Sequence, residues 1–191
     1  SEILSTGACG ELNPKQQEFV SDIRVSGLHL LGMVNEILDM SKIESNTVKL
    51  VCTKFFITRA LSEVANILKP LAKQKNVRLI IEYEEDFEVV ADYQKIQQIL
   101  YNLVSNAIKY SPKEDEVIIT AKKEDKNFIL TVHDNGIGID KKYHGKIFAK
   151  FVQLDSAYTK KESSTGLGLT ITKELTELHG GNVSVISEVN N

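Results

Sequence analysis

From Asn13 to about Glu44 only Gly27 and Gly32 interrupt a helical pattern, and this stretch narrows what the chain can fold into. Asn13 stands where an N-cap belongs, Pro14 at the first helical position and Gln16 at N3, a capping box that marks a helix start. Ile23, Leu30 and Ile37 recur every seven residues, flanked by Phe19, Met33 and Met40 on one side and Val20 and Val34 on the other. So broad an apolar stripe exceeds a two-stranded seam and suits one helix of a four-helix bundle. One long helix after a short apolar tail, Ile3-Leu4, cannot make a bundle alone. Its partners are expected from a second copy, from sequence outside the chain, or both.

Ser45-Asn46 ends that helix, and Thr47–Val51 reads as a linker with strand character. The change of pattern divides the chain into 1–45 and 46–191. Beyond it, a helix is expected from about Thr58 to Lys75, with Leu61, Val64, Ala65, Leu68 and Leu71 inward and Pro70 as an irregularity. Strands are expected at Val77–Tyr83, Glu88–Val90, Glu116–Lys122, Asn127–His133 and Asn182–Ser187. Two further helices are expected, one from near Asp92 and one over Leu167–His179. Interleaved helices and strands predict an α+β domain, a two-layer α/β sandwich, preceded by the long bundle helix.

Composition sets limits on partners. A formal charge of -3 across 191 residues gives no general attraction to nucleic acid or anionic membrane. Cys9 and Cys52 show no metal-ligand spacing, so reduced thiols and a cytoplasmic setting are expected. No run of about 18 apolar residues occurs and the first residues do not resemble a signal peptide. The abrupt opening Ser1-Glu2-Ile3-Leu4 reads like the tail of a helix in a longer protein, and a membrane span elsewhere in that parent stays open.

Three segments carry chemistry. Around Gln98–Pro112 the apolar residues Ile96, Ile99, Leu100, Leu103, Val104, Ala107 and Ile108 recur at helical spacing and form one face. Asn102, Asn106 and Lys109 follow at i, i+4, i+7 along its edge. Asn is a poor helix former that competes with backbone hydrogen bonds, so two of them on one edge suggest an oxygen-seeking ligand such as magnesium carrying phosphates. A solvated face would use the same residues. Asp134-Asn135-Gly136-Ile137-Gly138 follows a strand. There Asp134 is expected to be partly buried and to need a donor such as an adenine amine, while a plain turn would also use Asp, Asn and Gly. Thr165-Gly166-Leu167-Gly168 opens a helix whose amides could cradle phosphate, although its spacing matches neither the P-loop nor the dinucleotide fingerprint. Between the last two, Phe148 and Phe151 could anchor a polar loop, Gln153–Ser164, that reads as a mobile lid.

In order and approximate spacing, Asn102–Tyr110, Asp134–Gly138, Phe148–Phe151 and Gly166–Gly168 resemble the N, G1, F and G2 boxes of the histidine-kinase ATP-binding domain, whose fold is of the Bergerat type. Leu12–Ile43, ending Leu38-Asp39-Met40-Ser41-Lys42-Ile43-Glu44, resembles the second helix of the dimerisation and phosphotransfer domain of sensor histidine kinases. The resemblance implies ATP and Mg2+ as ligands. It implies Asn106 as the magnesium ligand, Asn102 as its neighbour positioning ion or phosphate, and Lys109 and Tyr110 at the phosphates. Asp134 would take the adenine amine beside Gly136 and Gly138, Thr165, Gly166, Leu167 and Gly168 would offer amides, and Phe151 would stand among the residues around the nucleotide. It further implies a homodimer through residues 14–44 and a response-regulator receiver domain as partner, with no nucleic acid and no direct membrane contact.

Two departures accompany the resemblance. The family's phosphoacceptor lies in a His-Glu-Leu-Arg-Thr-Pro-like segment that this chain does not contain, and Ser1–Leu4 resembles only the end of the acceptor helix. Members also usually continue past Ser187 into one more strand, so a sheet short of its last strand is expected. A related ATPase of the chaperone and gyrase type would place Glu where Asn102 stands. A degenerate nucleotide-sensing dimerisation module would have damaged boxes. His29, His133, His144 and His179 read as structural or surface residues. Incubation of this chain with labelled ATP is therefore expected to give no phosphohistidine, and acid-labile label that disappears in His29→Ala would contradict that reading.

Overall fold

The computed structural model of the protein describes residues 2–5, 10–45, 47–154 and 165–189. It comprises two compact units, Ser1–Asn46 and Thr47–Asn191. In the first, α1 (Glu2–Ser5) precedes α2 (Pro14–Glu44). The capping box forms, with Gln16 N–H donating to Asn13 Oδ1 at 2.9 Å and Asn13 N–H donating to Gln16 Oε1 at 3.0 Å. Val20, Met40 and Ile43 are buried, whereas Phe19, Ile23, Leu30, Val34 and Ile37 are exposed. Among the described residues no helix is long and apolar enough to cross a membrane.

The second unit runs β1 (Cys52–Phe56), α3 (Ile57–Lys75), β2 (Arg78–Tyr83), β3 (Glu88–Asp92), α4 (Tyr93–Tyr110), β4 (Glu116–Glu124), β5 (Asn127–Asp134) and α5 (Gly168–Leu178), with a 3-10 turn at Lys141–Tyr143. β2 pairs with β4 in parallel and β4 with β5 antiparallel, while β1 and β3 form a separate antiparallel pair. A parallel pair needs a crossover, here supplied by β3 and α4. On β4, Val117, Ile119 and Ala121 alternate inward at strand period. α4 lies between α3 and α5 and also contacts β4 and β5, burying Ile96, Ile99, Leu100, Val104, Ala107 and Ile108. The result is the mixed α/β arrangement expected from the sequence.

Three local expectations need correction. Strand structure begins at Cys52, not in Thr47–Val51, because pairing with β3 starts only there. Asn182–Ser187 keeps a strand's alternation, with Val183, Val185 and Ser187 half-buried, yet it belongs to no ladder among the described residues. Alternation records a half-covered surface; a strand also needs a backbone partner. Pro70 does not break α3. Pro70 and Asn66, four residues before it, are both exposed, so water can satisfy the carbonyl that loses its amide donor.

α4 begins at a buried hub. Asp92, 7% exposed, caps the helix by accepting from Lys95 N–H at 3.2 Å, and its other oxygen accepts from Val51 N–H at 2.9 Å. Its own N–H donates to His179 Nε2 at 3.2 Å, and His179 Nδ1 lies 2.7 Å from Leu175 O at the end of α5. A carbonyl can only accept, so Nδ1 carries the proton and Nε2 is the acceptor. Removing the carboxylate would take the acceptor from two part-buried backbone donors, Val51 N–H and Lys95 N–H. Asp92→Ala is expected to cost roughly 2–4 kcal/mol in urea denaturation, and a loss below about 0.5 kcal/mol would contradict the hub.

Candidate functional site

The polar edge of α4 meets the turn after β5 and the start of α5. Asn102 is half-buried, and its Nδ2 donates to Gly168 O at 3.0 Å. A Cβ on Gly168 would lie 3.7 Å from Asn102 Cγ, so the helices touch at ordinary van der Waals range. Asn106 is half-buried one turn further along, and Lys109 Nζ lies 5.5 Å from the Tyr110 ring centre at the helix end. The residues expected on one edge are therefore on one edge, and Asn102 fastens that edge to α5.

The turn after β5 closes against the other end of α4. Gly136 N–H donates to Asp134 Oδ1 at 2.9 Å, and a Cβ on Gly136 would fall 2.8 Å from Tyr110 O and 2.5 Å from that same Oδ1. Only glycine fits there. Gly138 has φ +69 and backs onto the carbonyl of Glu188, while Ile139 N–H donates to Ser187 Oγ at 2.9 Å. Asp134 is exposed, not partly buried as expected, because among the described residues β5 has a ladder partner on one side only and Asp134 is its last residue. Asn135, which the sequence did not single out, donates from Nδ2 to Asp115 Oδ1 at 2.9 Å. No periodicity links residues twenty apart, so this contact left no sequence signal.

Gly166 (φ +72) and Phe151 bracket the expected lid, with Phe151 N–H donating to Gly166 O at 3.2 Å. Gln153 and Leu154 are described, and residues 155–164 lie outside the described residues. Phe151 does not anchor this loop on the core: it is 68% exposed with φ +60. Ile147 is buried in its place and Phe148 half-buried, because a left-handed backbone at residue 151 turns the second ring outward. Leu167 is 1% exposed and its N–H donates to Thr165 Oγ1 at 3.2 Å, so its side chain is core and its amide is already engaged. Ile171 N–H donates to Leu167 O at 2.8 Å, so the amides of Gly168, Leu169 and Thr170 are the ones a helix start leaves without an intrahelical acceptor and able to meet an anion.

His144 Nε2 lies 2.8 Å from Ile139 O and so donates to it, a structural role like that of His179. Among the described residues no cluster of three or more His, Cys, Asp or Glu could hold a metal. A concavity of about 490 Å³ lies elsewhere, between residues including Lys54, Phe56, Phe87 and Lys123, and its lining mixes both signs of charge, with Glu85, Asp86 and Glu88 beside the two lysines. The chemistry of the α4 edge is different: carbonyl oxygens, one ammonium and helix-start amides suit a phosphate group with a hard cation.

Comparison with known proteins identifies the family. The chain is 36% identical over 192 residues to the circadian input-output histidine kinase CikA of Synechococcus elongatus, covering 99% of this chain and 26% of that protein. Full-length ShkA, solved in complex with AMPPNP, aligns at TM-score 0.81 and 30% identity over 94% of this chain and 37% of the other. Histidine kinase ThkA, solved in complex with the response regulator TrrA, aligns at TM-score 0.68 and 25% identity over 94% and 49%. Thus the chain spans about a quarter of its curated relative. Residues 91–191, more than half of the chain, match a single family, and the chain belongs to it: the histidine kinase-, DNA gyrase B- and HSP90-like ATPases.

Proposed function

We propose that residues 46–191 are the ATP-binding catalytic domain of a two-component sensor histidine kinase, and that residues 1–45 are part of its dimerisation and phosphotransfer domain. The observation that carries this reading is the 3.0 Å bond from Asn102 to Gly168 O, which joins the Asn-bearing edge of α4 to the amide-rich start of α5. It also favours a kinase over the water-activating ATPases of the same family. A side chain that donates an amide proton to a backbone carbonyl is a latch; it has no basic oxygen aimed at water.

Each residue then has a physical task. Asp134 accepts the adenine amine, with Gly136 and Gly138 letting the turn pass close to the base. Asn106 offers its side-chain oxygen to magnesium and Asn102 holds α5 beside it. Lys109 and Tyr110 face the phosphates, the first-turn amides of α5 complete the cradle, and Phe151, Thr165, Gly166 and Leu167 stand around the nucleotide. Bound MgATP supplies the transferable γ-phosphoryl group, and the protein contributes positioning and charge neutralisation. The acceptor is a histidine on a bundle helix of the parent protein. Relay to a receiver-domain aspartate is supported by the ThkA neighbour solved with a response regulator. Exposed Phe19, Ile23, Leu30, Val34 and Ile37 support a homodimer through residues 14–44, and the supply of ATP supports a cytoplasmic setting.

Isothermal titration tests the reading. Asp134→Asn is expected to weaken ATP by about 1–3 kcal/mol, roughly 5- to 150-fold, because a donor then faces the adenine amine; unchanged affinity would remove the adenine assignment. Wild-type binding should strengthen with magnesium and Asn106→Ala should largely abolish that dependence. Equal magnesium dependence in the variant would make Asn106 a packing residue.

A further inference from the structure

The connection from α4 to β4 is tied to three other parts of the domain through neighbouring residues. Asp115 Oδ1 accepts from Glu116 N–H at 2.7 Å and from Asn135 Nδ2 at 2.9 Å. The Asp115 carbonyl accepts from Arg78 N–H at 2.8 Å, and Glu114 N–H donates to Asn76 O at 2.9 Å. Glu114 has φ +66 and Asn76, the C-cap of α3, has φ +58, a conformation that residues with a Cβ rarely adopt. Such a turn persists only where its surroundings hold it. Asn76 and Arg78 come from the α3–β2 junction, Glu116 starts β4, and Asn135 sits in the turn after β5.

That last link bears on the nucleotide site. Asp134 and Asn135 are both exposed, so no packing fixes the Asp134 carboxylate. Its turn has the Gly136 N–H bond inside it and the backbone of Tyr110 behind it. Across from these, the Asn135 amide is held by Asp115. An exposed carboxylate selects a base only if its direction is fixed beforehand. We propose that Asp115 is a positioning residue for base selection, acting through Asn135 to aim Asp134 at the adenine amine. This rests on the assignment of Asp134 given above. Asp115 does not itself touch the base. Its carboxyl is held below the usual carboxylate range, first by the Asn135 side-chain amide and then by the Glu116 N–H, so it stays ionised and accepting at neutral pH.

Titration of the 191-residue chain with MgATP and MgGTP tests this, using Asp115→Ala, Asp115→Asn, Asn135→Ala, the double alanine variant and Asp134→Asn. Asp115→Ala should weaken ATP roughly 3- to 10-fold and narrow the preference for ATP over GTP by a similar factor. Both hydrogen bonds use one oxygen, which the amide of Asp115→Asn retains, so that variant should restore most of the preference. Asn135→Ala breaks the same link from an exposed position and should act alike even if Asp115→Ala folds poorly, and the double variant should be no worse than either single one. Equal weakening of ATP and GTP in Asp115→Ala and Asn135→Ala, or no change in either, while Asp134→Asn still removes the preference, would reduce Asp115 to a structural turn residue and leave the adenine assignment standing. An ATP preference untouched by Asp134→Asn would overturn that assignment, and the role of Asp115 with it.

Discussion

Burial of α4 is the constraint on which the second unit depends. Ile96, Ile99, Leu100, Val104, Ala107 and Ile108 face the core, and at roughly 1.5–3 kcal/mol for each large side chain this is a dominant local driving force. Once that face is fixed, a helix of 3.6 residues per turn leaves no freedom over where Asn102, Asn106 and Lys109 go. They lie along the border between core and solvent. The site is thus a by-product of packing: the forces that seat the helix also aim its polar edge.

Two loops are then brought to that edge by backbone chemistry. The turn after β5 approaches Tyr110 O at Gly136, where a Cβ would collide, and the start of α5 is latched by the Asn102 amide. Behind them, Asp92 at the β3–α4 junction is tied to the end of α5, its N–H donating to His179 Nε2 at 3.2 Å while His179 Nδ1 donates to Leu175 O at 2.7 Å. α5 is therefore held near both ends, at Gly168 and at His179. Such double fixing suits a site whose work is electrostatic, because donors that need no reorganisation are worth most.

Much of this was legible in the sequence where one periodicity or one capping rule decides the outcome. The capping box at Asn13–Gln16, the buried Leu61, Val64 and Leu68 of α3 and the shared edge of Asn102, Asn106 and Lys109 follow from spacing alone, whereas Ala65 and Leu71, also expected inward, are half-buried. Contacts between distant residues were not legible. Asp92 could have been read as an N-cap, since an Asp precedes the helical run, but nothing in sequence links it to His179. The exposure of Asp134 and Phe151 was missed for related reasons. Hydrophobic neighbours imply burial for a strand residue only when the strand is covered on both flanks, and a left-handed residue such as Phe151 reverses the direction its spacing implies. Asn182–Ser187 shows the same limit, since alternation cannot reveal whether a ladder partner is present.

The central claim is that the α4 edge, the turn after β5 and the start of α5 form one binding surface. It is tested most directly by amide and side-chain NMR shifts of the labelled chain during titration with magnesium and a non-hydrolysable ATP analogue. Saturable shifts should appear together at Gly136, Gly138, Gly168 and the side-chain amides of Asn102 and Asn106, with one common affinity. Shifts confined to the concavity near Lys54, Phe56 and Lys123, or different affinities at the three segments, would contradict it.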